Sequence, residues 1–327
     1  MKALVLTGVR QVAMQEMPIP TPKEGEALIR VRATGICGSD LHGFLGHSPR
    51  RQPGLVLGHE VVGTVESDGP MRGRRVAVNP LITCGSCRSC RAGRQNCCPT
   101  WRLLGMDQTH GGFAEYVVAP EKNLHPLPGH VSDAAAVMIE PLANALHLVS
   151  HVPSTAGSFP TAILVGSGTL GACILVVAKA KGIRVEWVIE PNPLRAKAAE
   201  ALGAGRTADP RGFVPAEKLD IAFEAVGNQS ARRLAVDSVA NGGTVLLLGL
   251  TENENALPFQ EIVRKEVRLQ GSFAYTDTDF AEAVAFVSEG RADFSPWTDL
   301  APLDRGQQCF ERLASDPGDR LKIGLSL

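Results

Sequence analysis

Long apolar runs are missing from this chain of 327 residues. Nowhere do 18 apolar residues follow one another, so no membrane span is expected. Charge of one sign is missing too: the formal net charge is -1, and no overall field draws the chain to nucleic acid or an anionic membrane. The opening residues, Met-Lys-Ala-Leu-Val-Leu-Thr-Gly, are interrupted too soon to form an export signal, which points to a cytoplasmic protein. Aromatics are scarce at 5%, whereas 34 glycines and 22 prolines supply tight turns and close backbone approaches. With 44% hydrophobic and 20% charged residues, a disordered or collagen-like chain is excluded. The length corresponds to about two domains.

Eight cysteines stand out against this background. Cys84, Cys87, Cys90, Cys97 and Cys98 fall within fifteen residues, while Cys37, Cys173 and Cys309 stand alone. Without an export signal, such a cluster reads as metal binding before disulfides. Cys84, Cys87, Cys90 and Cys98 form C-x2-C-x2-C-x7-C, four thiolates able to close a tetrahedral structural zinc site with no open position. Cys97 beside Cys98 leaves the fourth ligand open between the two. Arg88, Arg91 and Arg94 interleave with the thiols, and in a neutral chain they read as a solvated face rather than a nucleic-acid surface.

The texture of the chain changes near residue 161. Before it, short apolar runs such as 3–6, 27–31 and 61–65 alternate with Gly, Pro and charged turns, a β-rich pattern. Beyond it, strands predicted at 162–165, 185–189, 221–224 and 244–248 alternate with helices at 170–181, 193–202 and 231–240. That alternation predicts a doubly wound parallel sheet in an α/β protein. Helices at 279–288 and 307–313 and an apolar strand at 321–325 close the chain.

Gly166-Ser167-Gly168-Thr169-Leu170-Gly171 is G-x-G-x-x-G, placed directly after an apolar strand and opening a helix. Gly166 permits the tight turn, Gly168 the approach of backbone to a pyrophosphate, and Gly171 close packing of helix on strand. The helix N-terminus adds N–H groups and a positive dipole end for the anion. Nineteen residues beyond Gly171, Glu190 ends the second strand, where an acid accepts hydrogen bonds from an adenosine ribose. A 2′-phosphate there would meet a like charge, at a cost of about 4 kcal/mol per unit charge at ~4 Å and an effective dielectric of about 20. The acid therefore argues for NAD over NADP, and Arg195, five residues on, weakens the point as a cation able to hold a phosphate.

Gly35-Ile36-Cys37-Gly38-Ser39-Asp40-Leu41-His42, Gly58-His59-Glu60, the four-cysteine lobe, Gly111-Gly112-Phe113-Ala114-Glu115-Tyr116 and the glycine-rich loop follow one another in a familiar order. Together they resemble the zinc-containing medium-chain alcohol dehydrogenase family over essentially the whole chain. Glu140-Pro141-Leu142-Ala143-Asn144-Ala145-Leu146-His147 resembles its polyol (sorbitol-type) and threonine dehydrogenase branch. The resemblance implies a GroES-like β-barrel catalytic domain over 1–145 and 276–327, a Rossmann coenzyme domain over 146–275, and catalysis in the cleft between them. It implies one structural and one catalytic zinc per chain, the latter held by Cys37, His59 and an acid, either Glu60 or Glu140. A thiolate, an imidazole and a carboxylate leave such a zinc near zero net charge, still able to acidify a hydroxyl. Glu140 also suits a helix start before Pro141 without any metal.

Ser39 matches the family's hydroxyl that takes the substrate proton, and His42 the imidazole that passes it through the cofactor ribose to solvent. His47 and His147 read as loop and core histidines, and Cys173 and Cys309 as core thiols. Phe44, Trp101 and Met106 are candidate pocket residues. Gly73-Arg74-Arg75-Val76 stands where the family usually has Gly-Asp-Arg-Val, so the pairing around Arg75 is in question. The implied reaction moves a hydride between a secondary alcohol and NAD in a homodimer or homotetramer, without nucleic acid or membrane. Two alternatives compete: an NADPH-dependent carbonyl reductase of the same family, and a zinc-ribbon binding or regulatory protein without catalysis.

Overall fold

The computed structural model describes residues 1–154, 160–315, 318 and 320–327. Two compact units emerge, Met1–Glu140 with Thr276–Leu327, and Pro141–Tyr275. Among the described residues no helix is long and apolar enough to cross a membrane.

The first unit is organised by one ten-residue strand, Glu26–Gly35. Its buried residues Ala27, Ile29, Val31 and Ala33 alternate with more exposed ones, the period of a pleated strand. Tyr116–Pro120 pairs with its first half, Lys322–Ser326 with its last three residues, and Glu60–Val65 runs antiparallel along residues 29–35. Arg75–Val78 and Leu124–Pro126 extend the sheet on one side, and Thr298–Pro302 ends it on the other. Valines 61, 65, 76 and 78 join Ile29 and Val31 in one apolar layer. A second layer gathers Ala3, Leu4, Val5 and Leu6 of the strand Lys2–Gly8 with Phe44, Phe113 and Phe310. Each such buried side chain contributes about 1.5–3 kcal/mol.

The register at Gly35 decides where the chemistry sits. Gly35 lies opposite Glu60 on one side and Gly324 on the other. A Cβ on Gly35 would stand 1.7 Å from Glu60 Oε2, so only glycine lets this carboxylate fold against the strand end. The chain then turns through Ile36 to Cys37, which opens the short helix Gly38–Phe44.

The second unit holds a six-stranded, wholly parallel sheet. Its order is Arg206–Ala208, Arg184–Ile189, Thr161–Val165, Leu219–Glu224, Val239–Leu247, Arg268–Gly271. Numbered along the chain, that is 3-2-1-4-5-6, the doubly wound dinucleotide-binding order. Ala162, Ile163 and Leu164 are fully buried, as a sheet covered on both faces requires. The helix expected over 231–240 instead spans Gln229–Ser238, because Val239 turns extended to pair with Leu219.

Arg75 finds its acid far away in sequence. Its Nη2 lies 2.6 Å from Asp133 Oδ1, and Arg32 Nη2 lies 3.0 Å from Oδ2. Burial works against the Asp133 charge, but the two guanidinium groups outweigh it and hold the carboxyl below its ordinary value. Replacing Asp133 by Asn should cost about 1–3 kcal/mol of stability at pH 7, read by urea unfolding. Since the folded pKa is depressed, that contribution is complete above the unfolded value near 3.8 and lost as pH falls through the folded one. The two proteins should converge in acid.

Candidate active site and metal centres

Cys37, His59 and Glu60 arrive from two chain segments, the turn after Gly35 and the start of the strand Glu60–Val65. Their ligand atoms lie within 4.8 Å of one another. His59 and Glu60 are almost wholly buried and Cys37 partly so. Glu140 stands in the first turn of the helix Ile139–Ser150, outside this group, yet close enough to act electrostatically on Glu60 and Lys322.

Asp40 holds two members of the group in place. Its Oδ2 accepts from the Cys37 backbone N–H at 3.1 Å, and its Oδ1 faces His59 Nδ1 at 3.4 Å. A carboxylate on Nδ1 turns Nε2 outward as the free ligand nitrogen. Burial alone would discharge His59, but Asp40 and the Cys37 sulfur outweigh it and raise its pKa well above the ordinary value. The environment therefore favours a positive charge at this ring, whether a proton or a metal ion supplies it.

Glu60 is held from behind by a residue that sequence reading passed over. Lys322 Nζ lies 2.6 Å from Glu60 Oε1 and donates to the Ile36 carbonyl at 3.2 Å, with both charged side chains out of water. Burial opposes the ammonium, but Glu60, Cys37 and Glu140 outweigh it and hold the Lys322 pKa above its ordinary value. Glu60 Oε2 is buried and has no hydrogen-bond partner. Such an orphaned oxygen is costly unless a cation completes it, so the thiol, imidazole and carboxylate fit a zinc ion.

Ser39 and His42 lie on the helix that Cys37 opens. Ser39 Oγ accepts a hydrogen bond from Arg51 Nη2 at 2.9 Å. Burial, then His47 and Arg51, lower the His42 pKa, which favours a neutral ring. The His42 and His47 rings meet edge to face at 6.0 Å. Phe44 is not a pocket residue: it is fully buried and stacks on Phe310 at 4.9 Å. Trp101 lies beneath the Arg50 guanidinium, 4.2 Å from the ring centre, and Met106 is half-buried.

The cysteine lobe is a second centre. Sγ of Cys84 lies 3.6 Å from that of Cys98 and 3.9 Å from that of Cys90. Zinc–sulfur bonds of 2.3 Å at tetrahedral angles place sulfurs about 3.8 Å apart, whereas a disulfide needs about 2.05 Å. All eight cysteines are unbridged. Backbone N–H groups of Ser86 and Cys87 lower the Cys84 pKa to about 5, and burial raises that of Cys90 to about 11. The structure separates Cys98, which joins the group with Cys84, Cys87 and Cys90, from Cys97, which is exposed and faces Arg94.

In the second unit, Gly166 has φ +92°, and a Cβ there would strike Val226 at 2.5 Å. A Cβ on Gly171 would stand 2.0 Å from the Gly166 carbonyl oxygen, which fixes the tight packing of helix on strand. Gly168 caps the helix Thr169–Ala180 with no side chain, leaving the N-terminus open to an anion. The Arg195 guanidinium is the nearest group to a Cβ placed there, at 3.8 Å. Glu190 is buried at its strand end and accepts from Ser167 N–H at 2.8 Å and Asn192 N–H at 2.9 Å. Ser167 Oγ also donates to the same oxygen as its backbone N–H, at 3.3 Å, so Glu190 locks the glycine loop. His147 packs against His151 at 4.7 Å, and Cys173 and Cys309 are buried.

Asp40, Arg51 and Lys322 are the residues that sequence reasoning missed. Asp40 stood inside the quoted motif, and Lys322 was the lone charge in an apolar run, a usable signal. Arg51 gave none, lying in a Pro- and Arg-rich stretch that reads as solvated loop.

Residues 23–129 match the alcohol dehydrogenase GroES-like domain, and residues 169–289 the zinc-binding dehydrogenase domain. Sorbitol dehydrogenase of Bacillus subtilis (strain 168) is 32% identical, covering 99% of this chain and 96% of its own. Two solved structures are similar throughout. A zinc-binding dehydrogenase of Sinorhizobium meliloti 1021 bound to NADP has a TM-score of 0.89 at 27% identity, covering 100% of this chain and 99% of that one. An alcohol dehydrogenase of E. coli CFT073 complexed with NADH has a TM-score of 0.90 at 28% identity, with the same coverage. The chain belongs to the zinc-containing medium-chain alcohol dehydrogenase family, in its polyol (sorbitol-type) and threonine dehydrogenase branch.

Lys322→Met strands the Glu60 charge in the interior and should lower stability by about 3–5 kcal/mol. The double variant with Glu60→Gln leaves no unpaired buried charge and should recover part of that loss. Urea unfolding of the two variants beside wild type checks both outcomes.

Proposed function

We propose that this protein oxidises a secondary alcohol of the polyol, sugar-alcohol, diol or amino-alcohol class to the carbonyl compound, with NAD as hydride acceptor. The observation that carries the reading is the convergence of Cys37, His59 and Glu60, with one buried Glu60 oxygen lacking a partner. We assign one zinc per chain to that group and a second, structural one to Cys84, Cys87, Cys90 and Cys98. Between the two candidate acids we assign the ligand role to Glu60, because its open oxygen lies with Cys37 and His59 in a group that does not include Glu140. Zinc, when bound, supplies a Lewis acid that acidifies a substrate hydroxyl, and the nicotinamide supplies the acceptor for the hydride leaving carbon.

The chain's own residues do the rest. Asp40 fixes the His59 ring, Lys322 holds Glu60, and Ser39 receives the proton released from the substrate hydroxyl. His42, neutral because of its surroundings, passes that proton towards solvent. Gly168 and the helix start behind it receive the coenzyme pyrophosphate, and Glu190 accepts from the adenosine ribose. The zinc-ribbon alternative offers no account of the buried group around Cys37.

One observation favours the NADPH-dependent reductase: the Arg195 guanidinium beside Gly168 is a cation within reach of the coenzyme site. A screen of secondary alcohols and amino alcohols with each coenzyme separates the two. We expect NAD to be preferred by about tenfold or more, because the Glu190 carboxylate opposes a 2′-phosphate. Cys37→Ala should abolish turnover. A clear preference for NADP would overturn the coenzyme assignment, and full turnover by Cys37→Ala would overturn the mechanism. We further place the enzyme in the cytoplasm as a homodimer or homotetramer, the states usual for its family.

A further inference from the structure

Two adjacent arginines in one loop face opposite ways. Arg50 behaves as a loop arginine should: exposed, it forks onto Asp107 at 2.6 and 3.1 Å and covers Trp101. Arg51 turns inward, and its side chain is only 3% exposed. Its Nη2 donates to Ser39 Oγ at 2.9 Å, and its Nε faces Asp40 Oδ1 at 3.5 Å. Gly43 makes room for it. A Cβ there would stand 2.7 Å from Arg51 Cδ and 2.8 Å from its Cβ, so any larger residue displaces the whole stem.

Stripping a guanidinium of water is costly, and a merely space-filling role would be met by an apolar side chain. Asp40 accounts for the charge, since a fully buried carboxylate shared between the Cys37 backbone and the His59 ring needs a cation. It does not account for the direction of Nη2. Ser39 is a neutral hydroxyl that needs no cation to be buried. A hydroxyl has one proton to give and two lone pairs to receive with. With Arg51 on one lone pair, the Ser39 proton cannot point at the guanidinium, and its second lone pair stays free on another side.

We propose that Arg51 is a positioning residue of the proton path, orienting the Ser39 hydroxyl to receive a proton on one side while giving its own on another. The proposal rests on the reading of Ser39 as the group that takes the substrate proton. Arg51 touches neither substrate nor metal in this account. It acts through Ser39, and through Asp40 it ties the orientation of that hydroxyl to the residue supporting Cys37 and His59.

A mutant cycle tests this: kcat, KM and zinc content for the alcohol found by the coenzyme screen, in wild type, Ser39→Ala, Arg51→Met and the double variant. Arg51→Met should lower kcat by about tenfold to a hundredfold, with KM within about twofold and zinc retained. The double variant should be no slower than Ser39→Ala alone, since a residue acting through Ser39 has nothing left to orient. Arg51→Lys keeps a cation for Asp40 but lacks the planar fork, so its kcat should fall between those of wild type and Arg51→Met. Gly43→Ala displaces Arg51 with its charge intact and should reproduce the loss even if Arg51→Met does not fold. An equal loss from Arg51→Met in the presence and absence of Ser39 would overturn the proposal, as would a loss accounted for by missing zinc. So would wild-type kcat in Arg51→Met while Ser39→Ala is inactive, which leaves the Ser39 reading standing. Full turnover by Ser39→Ala would remove that reading and this inference together.

Discussion

Burying carboxylates beside the candidate metal ligands Cys37 and His59 is the constraint on which the first unit is built. Asp40 and Glu60 are both out of water, and neither could keep its charge there alone. Each is given a cation of its own, Arg51 for Asp40 and Lys322 for Glu60, both equally buried. Lys322 stands on one oxygen of Glu60 and leaves the other without a partner, while Arg51 and His59 both face the same oxygen of Asp40. With the Cys37 sulfur and the His59 ring beside that open Glu60 oxygen, the pocket has the donor set that suits zinc.

The strand register delivers these groups. Gly35 lies between Glu60 and Gly324, and the absence of a side chain at Gly35 is what lets Glu60 fold inward. Lys322 stands two residues before Gly324, so pairing of the last strand with Glu26–Gly35 brings the ammonium to the carboxylate across 262 positions of sequence. Stability and chemistry share the same interaction here: the ion pair that makes Glu60 tolerable in the interior is also what aims it.

The parts legible in the sequence were those with a local signature. Gly166, Gly168 and Gly171 stood between a strand and a helix, and the four thiols had zinc-like spacing. The alternation after residue 161 predicted a parallel sheet and four of its six strands; the short edge strands Arg206–Ala208 and Arg268–Gly271 were not foreseen, and Val239 shifted one helix end. What stayed hidden depends on partners distant in the chain. Arg75 pairs with Asp133, Arg51 reaches Ser39, and Lys322 meets Glu60; no periodicity reports such pairings. Phe44 shows the same limit from the other side. It follows the reactive motif closely, yet the helix Gly38–Phe44 turns it into the core against Phe310. Cys97 and Cys98 could be told apart only once burial was known.

The central claim is that the lone Cys37, not only the conspicuous cysteine lobe, holds a metal ion. Metal analysis of the purified protein and of Cys37→Ala tests it most directly. Two zinc ions per chain are expected in the wild type and one in the variant, with the lobe still loaded. One zinc per chain in the wild type, or two retained by Cys37→Ala, would contradict it.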